Sequence, residues 1–91
     1  MNKMFVYVSC EIIKRYKDKA RIRIGSDGSY ITVRNNMLLV LKDNDYAVRA
    51  RRDWSKNNKG TLNILINTIK GTERRQIAID DIVVREEAIT H

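Results

Sequence analysis

The sequence has few of the residues that cross-link a chain or bind a metal. Its 91 residues include one cysteine, Cys10, and one histidine, His91. A single thiol excludes an intrachain disulfide, and these two residues cannot form a zinc site, which needs several thiolates or a Cys/His set. Cys10 lies in an apolar run, which favours a small core residue over a reactive thiol. We therefore expect a reduced, cytoplasmic protein with no metal and no cofactor.

Proline and long apolar runs are also missing. No segment approaches the roughly 18 apolar residues that a membrane span requires. Near the N-terminus, Glu11 breaks the apolar stretch and no small-residue cleavage site follows, so we expect neither a signal peptide nor a membrane partner. Zero prolines and four glycines leave little room for a linker. The length predicts one domain over residues 1–91, with residues 85–91 as a tail that need not be ordered.

Residues suited to catalysis are equally scarce. A Ser-His or Cys-His nucleophile system would have to use the terminal His91. The segment 25–28 is too short for a glycine-rich phosphate loop and lacks a following Lys-Ser/Thr pair. The acidic pairs at 80–81 and 86–87 are adjacent, and adjacent side chains of a strand point to opposite faces. We predict that the protein is not an enzyme.

What the sequence has in excess is positive charge. Lysine and arginine number 18 against 11 acidic residues, a formal net charge of +7. The excess lies in two blocks: residues 14–34 carry seven cations and two acids, and residues 46–60 carry five cations and one acid. This distribution favours a polyanionic partner, with nucleic acid first and a nucleotide or an acidic protein second. The alternative is a solvated surface that keeps the protein soluble.

Alternating hydrophobicity predicts one hairpin residue by residue. Two alternating runs flank the turn-forming segment GSDG at residues 25–28. A four-residue loop there pairs Ile22 with Ile31 and Arg23 with Tyr30. One face of this hairpin, with Ile22, Ile31 and Val33, is predicted to be core. The other face then carries Arg21, Arg23, Tyr30, Thr32 and Arg34.

A second hairpin is predicted from the apolar run at residues 37–41, a turn at 42–45 and a strand at 46–52. The unbroken run predicts a strand buried on both faces. A four-residue loop pairs Leu39 with Val48. In the second strand, one face carries Tyr46, Val48 and Ala50, and the other carries Arg49 and Arg51.

Three more segments complete the predicted strands. Residues 4–8 are β-branched and aromatic, which favours a first strand that is central or covered on both sides. Residues 61–69 and 74–80 form a third hairpin around a turn at 70–73, and residues 82–84 form a short last strand. In the third hairpin, Ile66 is predicted to face Ile77, and Ile64 to face Ile79, on the core side.

These segments together predict an all-β fold. Seven or eight short strands with turn signals every eight to twelve residues are typical of an antiparallel sandwich or small barrel, and no segment has a helical apolar stripe. We favour a small single-domain antiparallel barrel or curled meander of about 7 short strands. Its size is that of SH3-like, Sm-like or OB-like folds, although no stretch matches the motif of a named family.

Nucleic-acid binding suits this pattern best, because phosphates attract arginine and lysine while unpaired bases stack on rings and guanidinium planes. Trp54, the only tryptophan, either stacks on a ligand or caps the barrel. Long loops in compact domains are often functional, which draws attention to the polar loop after the second basic strand. The predicted binding residues are Arg21, Arg23, Tyr30, Arg34, Arg49, Arg51, Arg52, Trp54, Lys56 and Lys59.

A different class of function stays open. The Asn/Ile/Lys-rich composition is common in small proteins of AT-rich genomes, including phage and mobile elements. Such a protein could inhibit or regulate a nucleic-acid-handling complex by binding one of its proteins, or could sequester a nucleotide. Residues 37–41 could also join two copies as a homodimer. The sequence does not distinguish DNA from RNA.

Overall fold

A computed structural model of the chain describes residues 5–25, 28–41, 45–53 and 60–83. Eight antiparallel strands form one curled sheet, a half-barrel, and the described residues contain no α-helix. The all-β prediction is confirmed. The strands are β1 (Phe5–Arg15), β2 (Lys19–Ile24), β3 (Ser29–Arg34), β4 (Leu38–Val40), β5 (Tyr46–Arg52), β6 (Thr61–Thr68), β7 (Gly71–Ala78) and β8 (Ile82–Val83).

The long strand β1 organises the sheet. The strand order is β3-β2-β1-β5-β6-β7, with β4 beside β5 and β8 beside β1. The first half of β1 pairs with β5 and the second half with β2. A register shift between Ile12 and Lys14 inserts one extra residue, and such a bulge bends and twists a strand. The predicted first strand is therefore central, and it runs on to Arg15.

The core lies on the concave side of this curl. Alternate residues of β1, β2, β3, β5 and β6 turn inward, and Ile22, Ile24, Ile64 and Ile66 are completely buried. No buried polar or charged residue occurs among the described residues. The inner face of the sheet therefore contains the apolar core, and the opposite side, called the outer face below, is open to solvent.

The β2–β3 hairpin has the predicted register. Ile22 pairs with Ile31, Arg23 pairs with Tyr30, and Ile24 pairs with Ser29. Ile31 is 6% exposed and Val33 is buried, which confirms the predicted core face. Local alternation and turn chemistry agreed here, and together they determine the register.

The predicted β4–β5 register is wrong by one residue. Leu38, not Leu39, pairs with Val48, because the N–H of Leu41 donates to the carbonyl of Asp45 at 2.7 Å and closes a shorter loop. Burial of this segment on both faces is also wrong, since Val40 is 63% exposed and β4 has only three residues. Within β5, the predicted faces are confirmed by pairing with β1.

The predicted β6–β7 register is wrong by four residues. Ile66 pairs with Glu73 rather than Ile77, because the turn contains two residues, Ile69 and Lys70, instead of four. The shift is an even number, so each strand residue keeps its predicted face and Ile77 is still buried. Ile79 is an exception: β7 ends at Ala78, and Ile79 is 50% exposed in a 3₁₀ turn.

The two halves of the curled sheet meet at one backbone hydrogen bond. The N–H of Ile69, in the β6–β7 turn, donates to the carbonyl of Thr32 in β3 at 3.0 Å. This contact brings the β6–β7 turn against the β3 edge and forms a seam. The seam therefore adjoins the basic hairpin β2–β3.

Candidate nucleic-acid interface

Basic side chains accumulate on the outer face. Strand pairing determines which side chains share this face, because directly paired residues point to the same side. In the described strands, together with Asp53, the residue directly after β5, the outer face carries two carboxylates, those of Glu11 and Asp53. It carries eight cations: Lys14, Lys19, Arg21, Arg23, Arg34, Arg49, Arg51 and Arg74.

One cluster lies where β1 and β5 pair. Phe5 is opposite Arg51, and Tyr7 is opposite Arg49. The guanidinium carbon of Arg49 lies 5.0 Å from the centroid of the Phe5 ring, and its Nη2 contacts the Met37 sulfur at 3.7 Å. Phe5 is still 50% exposed. This group, called the Phe5 cluster (Phe5, Tyr7, Arg49 and Arg51), thus combines two aromatic rings with two cations.

A second cluster lies on β2 and β3. The guanidinium carbon of Arg21 is 5.1 Å from the centroid of the Tyr30 ring, and Tyr30 is 49% exposed. Arg23 forms an ion pair with Glu11, and the hydrogen bond to that carboxylate is the main cause that raises the pKa of Arg23. Arg34 pairs with Lys19 at the far end of the hairpin. Arg21, Arg23, Tyr30 and Arg34 are called the Tyr30 cluster.

Both clusters occupy the same face and adjoin along β1. Arg23 is opposite Glu11 on β1, and Arg49 is opposite Tyr7 on the same strand. Phe5 and Tyr7 were not among the predicted binding residues. Because Phe5 and Tyr7 are two residues apart in a strand, the sequence predicts that they share a face. Only the long-range pairing of β1 with β5 shows that arginines lie beside them on this face.

Arg52 is placed away from the other predicted residues. It pairs with Ile64, whose side chain is in the core, so Arg52 points to the inner side of the sheet. Its neighbour across β6 is Arg75, whose Nη2 donates to the Glu73 carboxylate at 2.6 Å. Trp54, Lys56 and Lys59, together with residues 85–91, lie outside the described residues.

The seam contains a cleft of about 170 Å³. It lies between the β3 edge and the β6–β7 turn, next to the Tyr30 cluster. Its polar lining includes a ring, two cations, two threonines and a carboxylate: Tyr30, Arg21, Lys70, Thr32, Thr68 and Glu73. The cleft, called the seam cleft below, therefore offers both donors and acceptors beside an exposed ring.

The described residues provide little for covalent or metal chemistry. No three His, Cys, Asp or Glu side chains among them lie close enough together to hold a metal ion. Cys10 packs partly buried against the core, and this burial raises the pKa of its thiol to about 12. The thiol is therefore protonated at neutral pH and is a poor nucleophile.

Comparisons with known proteins found no family model, no curated protein and no solved structure that matches this chain. Within the residues that are described, no helix has the length and apolar character needed to cross a membrane.

Proposed function

We propose that this protein is a non-catalytic nucleic-acid-binding domain that uses its outer face. The observation that carries this proposal is the placement of eight cations and two arginine-covered rings on one sheet face, against two carboxylates, among the described residues. Cations supply the salt-dependent contacts to phosphates, and exposed rings offer planes on which bases stack.

The pairing of the cations supports a ligand over simple solubility. A surface that serves solubility intersperses both signs of charge. Each of the two outer carboxylates forms an ion pair with an arginine. Glu11 pairs with Arg23, and Asp53 pairs with Arg74 at 2.9 Å. In the described part of the chain, Arg21, Arg34, Arg49 and Arg51 have no carboxylate partner. Their positive charge is available to an external anion.

The proposal is tested by fluorescence anisotropy with labelled oligonucleotides across a salt series. We expect affinity to fall as salt rises, because binding releases counterions from the phosphates. The double variant Arg49→Gln/Arg51→Gln should bind more weakly. Its plot of log affinity against log salt should be shallower by roughly 1 to 2, since about two phosphate contacts are lost.

A matched control removes the same charge from outside the outer face. Arg15→Gln/Lys17→Gln changes one residue that pairs with the buried Ala20, and so points to the inner side, and one in the β1–β2 turn. This control should retain the salt slope of the unmodified protein. Equal losses in both double variants would mean that only net charge matters, and absence of binding at low salt would contradict the proposal itself.

A further inference from the structure

Two exposed rings on the strands of the outer face are arranged to receive unpaired bases. Phe5 and Tyr30 are each covered by a guanidinium group, at 5.0 and 5.1 Å, yet about half of each residue stays exposed. Bases within a duplex are stacked on their neighbours, whereas bases of single strands can be splayed out and stacked on side chains. An exposed ring beside a cation is therefore of most use to a single strand.

The shape of the outer face favours the same ligand. Phe5 lies nine residues before Lys14 on β1, and Lys14 is the residue that pairs with Arg21. At about 3.3 Å per residue, the two clusters together span roughly 30 Å along β1, and their nearest members, Tyr7 and the Arg23 that pairs with Glu11, are roughly 13 Å apart along it. The core is on the concave side, so the outer face between them is convex. A duplex is stiff over tens of base pairs and touches a convex surface over a limited length, while a single strand can follow it.

The seam cleft adds a place for one base. Its volume of about 170 Å³ far exceeds the roughly 10–15 Å³ that one water requires. Arg21 and Lys70 can meet a phosphate, whereas the Glu73 carboxylate, which already accepts from Arg75, offers acceptor oxygens that suit donors on a base edge. A base presents both donors and acceptors on its edge, so a base with its adjoining phosphate suits this mixed lining better than a free phosphate.

We propose that the bound nucleic acid is single-stranded, and that one unpaired base enters the seam cleft beside Tyr30 while the strand continues over β1 to the Phe5 cluster. This inference rests on the proposed function, because it specifies the ligand of the same face. Single strands of RNA and of DNA share this chemistry. Testing both shows which sugar the protein prefers.

The test compares a labelled 12-nucleotide single strand with the duplex of the same sequence, as DNA and as RNA, by anisotropy at low salt. We expect the single strand to bind at least about tenfold more tightly than its duplex. Tyr30→Leu should weaken single-strand binding by about 5- to 150-fold, the equivalent of one lost base stack, and Tyr30→Phe should retain it within about twofold.

Two further variants keep the test decisive. Tyr46→Leu is the matched control, because the Tyr46 ring also lies beside an arginine, with the Arg15 guanidinium carbon 5.5 Å from its centroid, but faces the inner side of the sheet. It should bind as the unmodified protein does. Lys70→Gln changes an exposed turn residue and keeps the backbone N–H that donates to Thr68 Oγ1, and it should weaken single-strand binding with a salt slope shallower by about 0.7.

The outcomes separate this inference from the proposed function. Equal affinity for the single strand and the duplex, or equal losses in Tyr30→Leu and Tyr46→Leu, would overturn the single-strand inference while nucleic-acid binding itself stands. Failure of every oligonucleotide to bind at low salt would overturn both. Preference for either single strand over its duplex, lost in Tyr30→Leu and Lys70→Gln, supports the inference.

Discussion

Arg49 is held in place by a ring and a thioether rather than by a carboxylate. Its contacts are the Phe5 ring at 5.0 Å and the Met37 sulfur at 3.7 Å. Its Nε is buried, with no hydrogen-bond partner in the part of the chain that is described. Such contacts orient the planar guanidinium while leaving its charge for a ligand, a combination that lysine does not reproduce.

The variant Arg49→Lys tests this role of the guanidinium plane. It retains the charge, so the salt slope of nucleic-acid binding should be unchanged. The loss of the cation–π contact and of planar stacking should lower affinity by about two- to fivefold, equivalent to about 0.5–1 kcal/mol. Anisotropy over a salt series measures both quantities. A shallower slope in Arg49→Lys would contradict the separation of charge from stacking.

Cys10 gives a prediction for pH. Burial raises the pKa of the folded thiol to about 12, against an ordinary value of 9.0. Between about pH 9 and pH 12 the unfolded chain binds fewer protons at Cys10 than the folded chain, so the free energy of unfolding should decrease as pH rises. Urea unfolding should show a steeper decrease in this window for the unmodified protein than for Cys10→Ala. Parallel curves for the two proteins would show that Cys10 does not titrate differently on folding.

The hairpins show how far the sequence determines the strand elements. In β2–β3, alternation and the turn segment agree, and the pairs are predictable one by one. In β6–β7, the sequence shows the faces but not the register. Thr68 Oγ1 accepts from the N–H of Lys70 and donates to the carbonyl of Gly71, which stabilises a two-residue turn that composition does not distinguish from a four-residue one.

The pairing of β1 could not be predicted in the same way. Its bulge after Ile12 and its switch of partner from β5 to β2 depend on strands that are distant in sequence. The Phe5 cluster results from this long-range pairing. The Tyr30 cluster lies within one local hairpin, which explains why sequence analysis found it and missed Phe5 and Tyr7.

A glycine at the end of β2 supplies a test at the scale of the element. Gly25 has φ +60°, and a Cβ there would lie 2.9 Å from the Asp81 carboxylate oxygen. Gly25→Ala should lower the free energy of unfolding by about 1–2 kcal/mol through left-handed strain, plus the cost of displacing the Asp81 side chain. Thermal or urea unfolding measures the loss.

The matched control for that substitution is Gly60→Ala. Gly60 has φ +79°, but nothing lies within 4 Å of the position of its added Cβ. It should therefore show the strain alone and be less destabilising than Gly25→Ala. A larger loss for Gly60→Ala than for Gly25→Ala would mean that the methyl group added at residue 25 causes no costly contact with the Asp81 side chain.

At the scale of the whole molecule, the two faces of the curled sheet differ in composition. The concave face buries isoleucine and valine. The convex outer face carries basic residues from both sequence blocks, Lys14, Lys19, Arg21, Arg23 and Arg34 from the first and Arg49 and Arg51 from the second. Composition revealed the charge, but only the strand order shows that the two blocks share one face. Self-association through residues 37–41 stays a prediction; Val40 is the strongly exposed member of that run.

The most direct test of the central claim is NMR mapping of the surface that contacts a 12-nucleotide single strand. We predict shifts at the side-chain Nε–H groups of Arg21, Arg49 and Arg51, and at the backbone amides of Tyr30 and Lys70. The inner-facing Arg15 should be unaffected. Shifts confined to β4 and the inner side, or no shifts at low salt, would contradict a nucleic-acid interface on the outer face.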